Sequence, residues 1–314
     1  MLVVGRRLEP ADHRVRDFLT RGAQPHRWIE TGSDEAVDLF ARLGLQDPPL
    51  PVVVDGDRAT VGATVEQLAE LWGISGDPRL AHYDLAIVGA GPAGLAAAVY
   101  AASDGLSTVV FERDVPGGQA SHTSKIENFF GFPGGIGGAE LARLAGRQAE
   151  GFGAELVILR GVESSRVEDE GFGVTIAGGV DVTASTVLAS PGMEWRRLEV
   201  DGVDELLGRG VYYGAGRSEA TQCSDDDVVV IGAGNSAGQA VLNLANASAR
   251  VTMVVRGDRL GKTMSAYLVD RIEQHPLVDI RFGAQVTELH PDDGHLAAAT
   301  ITVKDGTAER RDVR

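Results

Sequence analysis

The stretch DLAIVGAGPAGLAAAVYAASDGLSTVVFE, residues 84–112, decides the fold of this 314-residue chain. It begins with a short apolar run that predicts a buried β-strand. Gly89, Gly91 and Gly94 follow, and then an alanine-rich segment that predicts a helix before a second apolar strand. A strand, a glycine-rich turn, a helix and a second strand ending in an acid make up a dinucleotide-binding βαβ unit. We therefore predict an α/β fold.

Each small residue of this turn has a physical task. Gly89 permits the tight turn, Gly91 lets the backbone approach a pyrophosphate, and Gly94 lets the helix pack closely on the strand. The amino end of the helix presents N–H groups and partial positive charge to the anion. Glu112 is placed to accept hydrogen bonds from a ribose diol. The residues predicted to bind this nucleotide are Gly89, Gly91, Pro92, Ala93, Gly94 and Glu112.

A second strand–glycine–helix pattern, DVVVIGAGNSAG, occupies residues 227–238. Its following strand ends at Arg256 instead of an acid, and a cation there can pair with the 2′-phosphate of NADPH. Lys262 is close enough in sequence to assist, so NADPH is favoured over NADH. The alternative is that Arg256 is a solvated surface charge. The residues predicted for this second site are Gly232, Gly234, Asn235, Ser236, Ala237, Arg256 and Lys262.

The segment after the first unit carries Pro116-Gly117-Gly118-Gln119, Lys125-Ile126-Glu127-Asn128 and Gly131-Phe132-Pro133. It resembles the flavin-contacting loops of the low-molecular-weight thioredoxin reductase family. The resemblance implies that the first nucleotide is FAD, that residues 83–192 form an FAD domain, and that residues 196–314 form an NADPH domain. It also places Gly118, Gln119, Asn128 and Gly192 at the flavin site. The family's Ala-Thr-Gly is Ser190-Pro191-Gly192 here, which is a departure.

Residues 1–76 have the predicted order β-α-β-α-β-(β)-α. This order is similar to that of glutaredoxin or thioredoxin-type domains, and Pro51 stands where that family carries a cis-proline. The family's Cys-x-x-Cys belongs just after the first strand, where this chain has Arg7 to Asp12 without a thiol. Without thiols there is no dithiol exchange, so we predict a docking or dimerisation module.

Cys223 is the single cysteine of the sequence. The thioredoxin reductase family carries Cys-x-x-Cys just before its NADPH-domain strand, and the aligned stretch here is Tyr212 to Arg217. We therefore expect no internal dithiol relay, and no side chain is predicted to act as an acid, base or nucleophile. We also expect the sequence to stop inside the NADPH domain, before the family's final FAD segment.

The resemblance implies an FAD-dependent NADPH oxidoreductase that passes hydride from NADPH to FAD and on to an external acceptor, either a protein or a small molecule. Two alternatives stay open. One is a non-catalytic flavin- or nucleotide-binding interaction module, and the other is a truncated, inactive homologue. An absorption spectrum before and after NADPH separates the enzyme from both.

The formal net charge of −16 argues against a nucleic-acid partner, because phosphates are repelled over most of such a surface. No apolar run approaches the roughly 20 residues that span a bilayer, and no metal-ligand spacing stands out. We expect a cytoplasmic protein without a membrane or metal partner, for which a homodimer is compatible with the resemblance.

Overall fold

The structure is a computed structural model that describes residues 1–74, 76–194, 196–214, 223 and 225–313. Its first part, called here the N-terminal module, follows the predicted order of elements. They are β1 (Leu2–Gly5), α1 (Pro10–Arg21), β2 (Arg27–Glu30), α2 (Asp34–Leu43), β3 (Val52–Asp55), β4 (Arg58–Thr60) and α3 (Val65–Leu71).

The N-terminal module has three layers around a four-stranded sheet of order β2-β1-β3-β4. Val3 faces the helices α1 and α3, whereas its neighbour Val4 faces α2, because successive strand side chains point to opposite faces. Ser33 caps α2, and Thr64 with Gln67 forms the capping box of α3. The Leu50–Pro51 peptide bond is cis.

The next part, called the central unit, is built on the first glycine motif. Its elements are β5 (His82–Val88), α4 (Pro92–Ser103), β6 (Thr108–Phe111), α5 (Gly138–Gly151), β7 (Glu155–Val157), β8 (Val162–Glu168), β9 (Gly171–Ile176) and β10 (Val180–Ala189). A short 3₁₀ turn, Gly118–His122, lies between β6 and α5.

One six-stranded sheet of order β7-β6-β5-β10-β9-β8 organises the central unit. Strands β7, β6, β5 and β10 are parallel, and β9 and β8 continue the sheet antiparallel. Ile87 packs against α4 and α5, while Ala86 packs on the other face. The direction in which successive strands are added to the sheet reverses between β5 and β10. Ligands of such sheets bind beside this point, at the carboxyl ends of the strands.

The last part, called the C-terminal unit, repeats the pattern with fewer strands. Its elements are β11 (Asp227–Ile231), α6 (Asn235–Asn246), β12 (Arg250–Val255), α7 (Ala266–Glu273), β13 (Val278–Phe282), β14 (Ala284–Asp292), β15 (His295–Val303) and β16 (Ala308–Asp312).

Strands β11, β12 and β13 form a parallel sheet, and β14, β15 and β16 form an antiparallel one. Met253 of the parallel sheet packs against α6 and α7, and Val254 packs against the antiparallel sheet. The chain is thus mixed α/β with two glycine turns of related design. In the described ranges, no helix is long and apolar enough to cross a membrane.

Candidate functional site

The first glycine turn lies at the carboxyl end of β5 and is tightly packed at two of its three glycines. Gly89 has φ 97°, and a Cβ built on it would lie 2.4 Å from the carbonyl oxygen of Ser190. A Cβ on Gly94 would lie 1.9 Å from the carbonyl oxygen of Gly89. Only glycine fits both positions, so α4 sits directly against the turn.

Gly91 has the opposite surroundings. A Cβ built on it would meet no atom of the described chain within 4 Å, so its backbone borders open space. Gly91 is also the N-cap residue of α4, with Pro92 in the first turn. The N–H groups of Ala93 and Gly94 belong to that turn, where helices leave donors for an anion. Tight packing around an open, donor-lined face fits the pyrophosphate of a dinucleotide.

Glu112 is buried at the end of β6, with 8% of its surface exposed. Its Oε2 accepts a 2.8 Å hydrogen bond from the Ala90 N–H, and its Oε1 accepts one of 3.0 Å from the Asp114 N–H. The carboxylate therefore ties the glycine turn to the segment after β6. Each carboxylate oxygen accepts more than one hydrogen bond, so Glu112 retains acceptor capacity for ribose hydroxyls.

The predicted flavin-loop residues Gly118 and Gln119 lie beside this turn. The N–H of Gly117 donates to the Ala90 oxygen at 2.7 Å, and a Cβ on Gly118 would lie 3.4 Å from Cα of Gly91. The Gln119 side chain donates to the carbonyl of Met193, next to the predicted Gly192. The structure thus brings together the glycine turn, the Gly117–Gly118–Gln119 loop and the segment after β10.

Asn128, the third predicted flavin-loop residue, is exposed. Its neighbour Glu127 forms ion pairs with Lys125 at 2.8 Å and with Arg271 of α7 at 3.0 Å. Lys125 and Arg271 hold the pKa of Glu127 below its ordinary value. This loop therefore bridges the central and C-terminal units, and the described contacts do not join Asn128 to the glycine turn.

The second glycine turn, at the carboxyl end of β11, follows the same design with less crowding. Gly232 has φ 142°, and a Cβ on it would lie 3.0 Å from Cβ of Ala237. Gly234 caps α6 and, like Gly91, borders open space within the described chain. Ala237 stands where the first turn has Gly94, and its methyl group is the atom that a Cβ on Gly232 would meet. Ser236 is exposed in the first turn of α6.

Asn235 serves a structural contact within this site. Its side-chain oxygen accepts a 2.7 Å hydrogen bond from the N–H of Ser265, just before α7. The Thr263 hydroxyl donates to the Ala233 carbonyl at 2.8 Å. The loop after β12 is therefore fastened to the glycine turn. Sequence reasoning missed Thr263 and Ser265; a serine before α7 was the available signal, although the Ser265 side chain makes no capping hydrogen bond in the structure.

The cations predicted for a 2′-phosphate lie in this fastened loop. Arg256 is exposed immediately after β12. Lys262 pairs with Asp258 at 2.7 Å, and this hydrogen bond lowers the pKa of Asp258. Of the two cations, Arg256 is therefore the better placed to bind an anion, because Asp258 already neutralises Lys262.

Two further features concern thiols and metals. The Arg7 guanidinium contacts the Cys223 thiol and pairs with Asp226. Of the stretch aligned with the family's Cys-x-x-Cys, Ala215 to Arg217 lie outside the described residues.

Within the described part of the chain, no group of three or more His, Cys, Asp or Glu residues is arranged to hold a metal ion.

Comparison with known proteins gives a consistent picture. Residues 83–313 match the family model described as pyridine nucleotide-disulphide oxidoreductase. The chain is 35% identical to a thioredoxin reductase from Bacillus subtilis (strain 168) over 219 residues, covering 70% of this chain and 67% of the relative.

Two solved structures resemble the same portion of the chain. The thioredoxin reductase of Lactococcus lactis, in its FR conformation, has a TM-score of 0.68 at 28% identity, covering 74% of this chain and 75% of that one. The T. acidophilum thioredoxin reductase has a TM-score of 0.69 at 27% identity with the same coverage.

Proposed function

Because the chain belongs to the pyridine nucleotide-disulphide oxidoreductase family, we propose that residues 83–192 form its FAD domain and residues 196–314 its NADPH domain. It is an oxidoreductase of thioredoxin reductase type, and enzymes of this type are flavoproteins that use FAD and NADPH. When both are bound, they supply hydride transfer from nicotinamide to flavin, followed by electron transfer to an external acceptor.

One observation carries this proposal, namely two strand–glycine–helix turns of the same design in one chain. Gly91 and Gly234 both cap a helix and both border open space. Each turn follows the carboxyl end of a parallel strand, where nucleotides bind. Two such sites in one chain favour electron transfer between two nucleotides over a single binding role.

In the first site, the N–H groups at the start of α4 would hold the FAD pyrophosphate, and Glu112 would bind the ribose. Gly118, Gln119 and Gly192 would lie along the flavin, since their segments meet at the glycine turn. We keep Asn128 as a proposed flavin contact, with an exposed side chain that no described contact joins to the glycine turn. Their proposed role is to orient the ring, so no side chain need act as an acid or base.

In the second site, the start of α6, including Asn235, Ser236 and Ala237, would hold the coenzyme pyrophosphate. Arg256 would pair with the 2′-phosphate, with Lys262 as a secondary cation because Asp258 already neutralises it. A cation at this strand end favours NADPH, whereas an acid would repel the phosphate.

The acceptor is proposed to be external because the sequence contains the single Cys223. With one thiol in this sequence, an internal dithiol relay cannot form. The flavin electrons would therefore go directly to a protein or a small molecule. The N-terminal module, which we propose to be a thiol-less glutaredoxin-like domain, serves docking instead of dithiol exchange. We also propose a homodimer, which light scattering after size-exclusion chromatography measures.

Absorption spectroscopy tests the proposal directly. The purified protein should show the visible flavin band, alone or after incubation with FAD, and anaerobic NADPH should bleach it. Protein that stays colourless after incubation with FAD would refute the FAD assignment. Flavin that binds but is not bleached by NADPH would favour the non-catalytic interaction module, and unbound flavin with non-cooperative melting would favour an inactive homologue.

A further inference from the structure

Arg21, on α1, crosses from the N-terminal module into the central unit. It is 9% exposed, and its Nη1 lies 2.6 Å from Oδ2 of Asp114. Its Nε donates to the Ser121 hydroxyl at 3.0 Å, and Asp17 pairs with it at 3.3 Å. A buried arginine costs desolvation energy unless such partners compensate it. Arg21 thus links the module to both ends of the segment that leads from Glu112 to the flavin loop.

Apolar packing joins the same two parts. Val115 of the central unit is 2% exposed and belongs to the core of the N-terminal module, with Phe18 and Val65. Leu159, after β7, packs against the same cluster. An interface that shares a hydrophobic core holds its partners in one orientation, unlike the polar contacts typical between mobile domains.

A cleft of about 320 Å³ lies along this interface. Arg14, Phe18 and Val65 line it from the module, and Arg113 and Leu159 line it from the central unit. Its volume lies within the roughly 300–1,000 Å³ of small-molecule pockets. It lies at the carboxyl ends of β6 and β7, because its lining residues Arg113 and Asp114 follow Glu112 and Leu159 follows β7.

The chemistry of the cleft suits a purine. The nearly buried Phe18 and Val65 form the apolar base of the cleft, with the partly exposed Leu159 beside them. Guanidinium groups such as those of Arg14 and Arg113 can stack on aromatic rings. Asp17 and Asp114, which also line the cleft, offer acceptors to an amino group. If Glu112 binds the FAD ribose, the adenine attached to that ribose lies next to Glu112, and this cleft, lined by the following residues Arg113 and Asp114, is adjacent to that position.

We propose that the N-terminal module forms one wall of the adenosine pocket of FAD, with Arg21 as the positioning residue that fixes this wall to the central unit. The proposal rests on the proposed function, since it concerns the same FAD site. It gives the thiol-less module a role in cofactor retention.

Equilibrium binding of FAD and FMN to the flavin-free full-length protein tests the proposal. FMN carries the flavin and a phosphate but no adenosine, so it does not reach the cleft. Arg21→Met should raise the Kd for FAD at least about tenfold and raise the Kd for FMN much less, because Arg21 reaches the flavin loop only through the Ser121 hydroxyl. Arg21→Lys, which keeps the charge opposite Asp114, should restore part of the FAD affinity.

Two further variants provide an independent test and a control. Arg14→Glu changes an exposed side chain of the module wall without touching its core, and should weaken FAD selectively even if Arg21→Met does not fold. Arg27→Met is the matched control, because Arg27 lies in the same module but pairs with Glu35 at the surface. It should bind both flavins like the wild type.

The outcomes separate this proposal from the one before it. Equal weakening of FAD and FMN, or unchanged FAD affinity in Arg14→Glu and every folded Arg21 variant, would overturn the role of the module. Wild-type protein that binds neither flavin would overturn the FAD assignment itself.

Discussion

At the scale of single residues, two glycines of the first turn differ in their surroundings: Gly94 is packed against the protein, and Gly91 faces open space. Gly94 is required by the protein, because its Cβ would overlap the Gly89 carbonyl oxygen at 1.9 Å. No packing contact requires glycine at position 91, because the space beside it is open, so the proposed FAD pyrophosphate is the reason we give for this glycine. Two glycines of one motif are thus expected to respond differently to the same substitution.

Gly94→Ala should destabilise the flavin-free protein by about 1–3 kcal/mol, the usual cost of overpacking. Gly91→Ala should cost less, about 0.5–1 kcal/mol, because φ at Gly91 is −67°, which any residue adopts, and only the preference for glycine over alanine at a helix N-cap is lost. It should nevertheless lose FAD, since the methyl group occupies the side from which the pyrophosphate approaches. Urea unfolding and flavin content measure the two effects. A stable Gly94→Ala variant would contradict this division.

Arg256→Ala should raise the KM for NADPH roughly 10- to 100-fold, the loss of one charge-assisted hydrogen bond. The KM for NADH should not change, because NADH has no 2′-phosphate. Arg250→Ala is the matched control, since Arg250 begins the same strand at its far end and pairs with Asp227. Equal losses with both coenzymes would show that Arg256 does not read the phosphate.

At the scale of elements, a stabilising side-chain contact and the proposed binding site lie at opposite ends of the strands of the central sheet. Tyr83 is the second residue of β5 and is 1% exposed. Its hydroxyl donates to Glu155 of β7 at 2.6 Å and accepts from the Leu80 N–H at 3.0 Å. These contacts lie at the amino edge of the sheet, whereas the glycine turn lies at its carboxyl edge.

Burial and the hydrogen bond to Glu155 raise the pKa of Tyr83 from 10.0 to about 12. The folded state therefore holds this proton more tightly than the unfolded state does. The stabilisation is complete below pH 10 and disappears as the pH rises from 10 to about 12. Urea unfolding across this range should show the decline.

Tyr83→Phe should remove this decline and cost about 1–3 kcal/mol at neutral pH, because Glu155 and the Leu80 N–H lose a buried partner. FAD affinity should stay unchanged, since the substitution lies at the edge away from the glycine turn. A variant that lost flavin without losing stability would contradict the separation of the two edges.

At the scale of the whole molecule, the N-terminal module contacts both nucleotide-binding units. Its core contains Val115 of the central unit, and its Arg7 pairs with Asp226 at the start of the C-terminal unit. His13 also lies against Tyr212, with ring centroids 4.8 Å apart. The module should therefore unfold together with the central unit and not as a separate domain.

Trp28 and Trp72 of the module report on this coupling. In a Trp195→Phe background they are the remaining tryptophans of the sequence. FAD at about 100 times its Kd adds roughly 2.7 kcal/mol, or roughly 5–10 °C for a unit of this size. Tryptophan fluorescence and far-UV circular dichroism should both record this shift. A fluorescence transition that does not respond to FAD would show that the module unfolds independently.

The sequence by itself determined the local design. The spacing of glycines predicts two strand–turn–helix units, and Ser33, Thr64 and Gln67 predict helix caps, because each of these features depends on residues a few positions apart. The observed strands and helices follow that design. The order of elements in the N-terminal module was predictable for the same reason.

Only the tertiary structure decided how these parts meet. Arg21 and Asp114 are 93 positions apart, and many other carboxylates of this acidic chain were equally available to Arg21 by pattern. The placement of Val115 in the module's core and of Asn235 on Ser265 likewise depends on how loops fold back on sheets. Periodicity records which face of an element is apolar, but it does not record which distant surface covers that face.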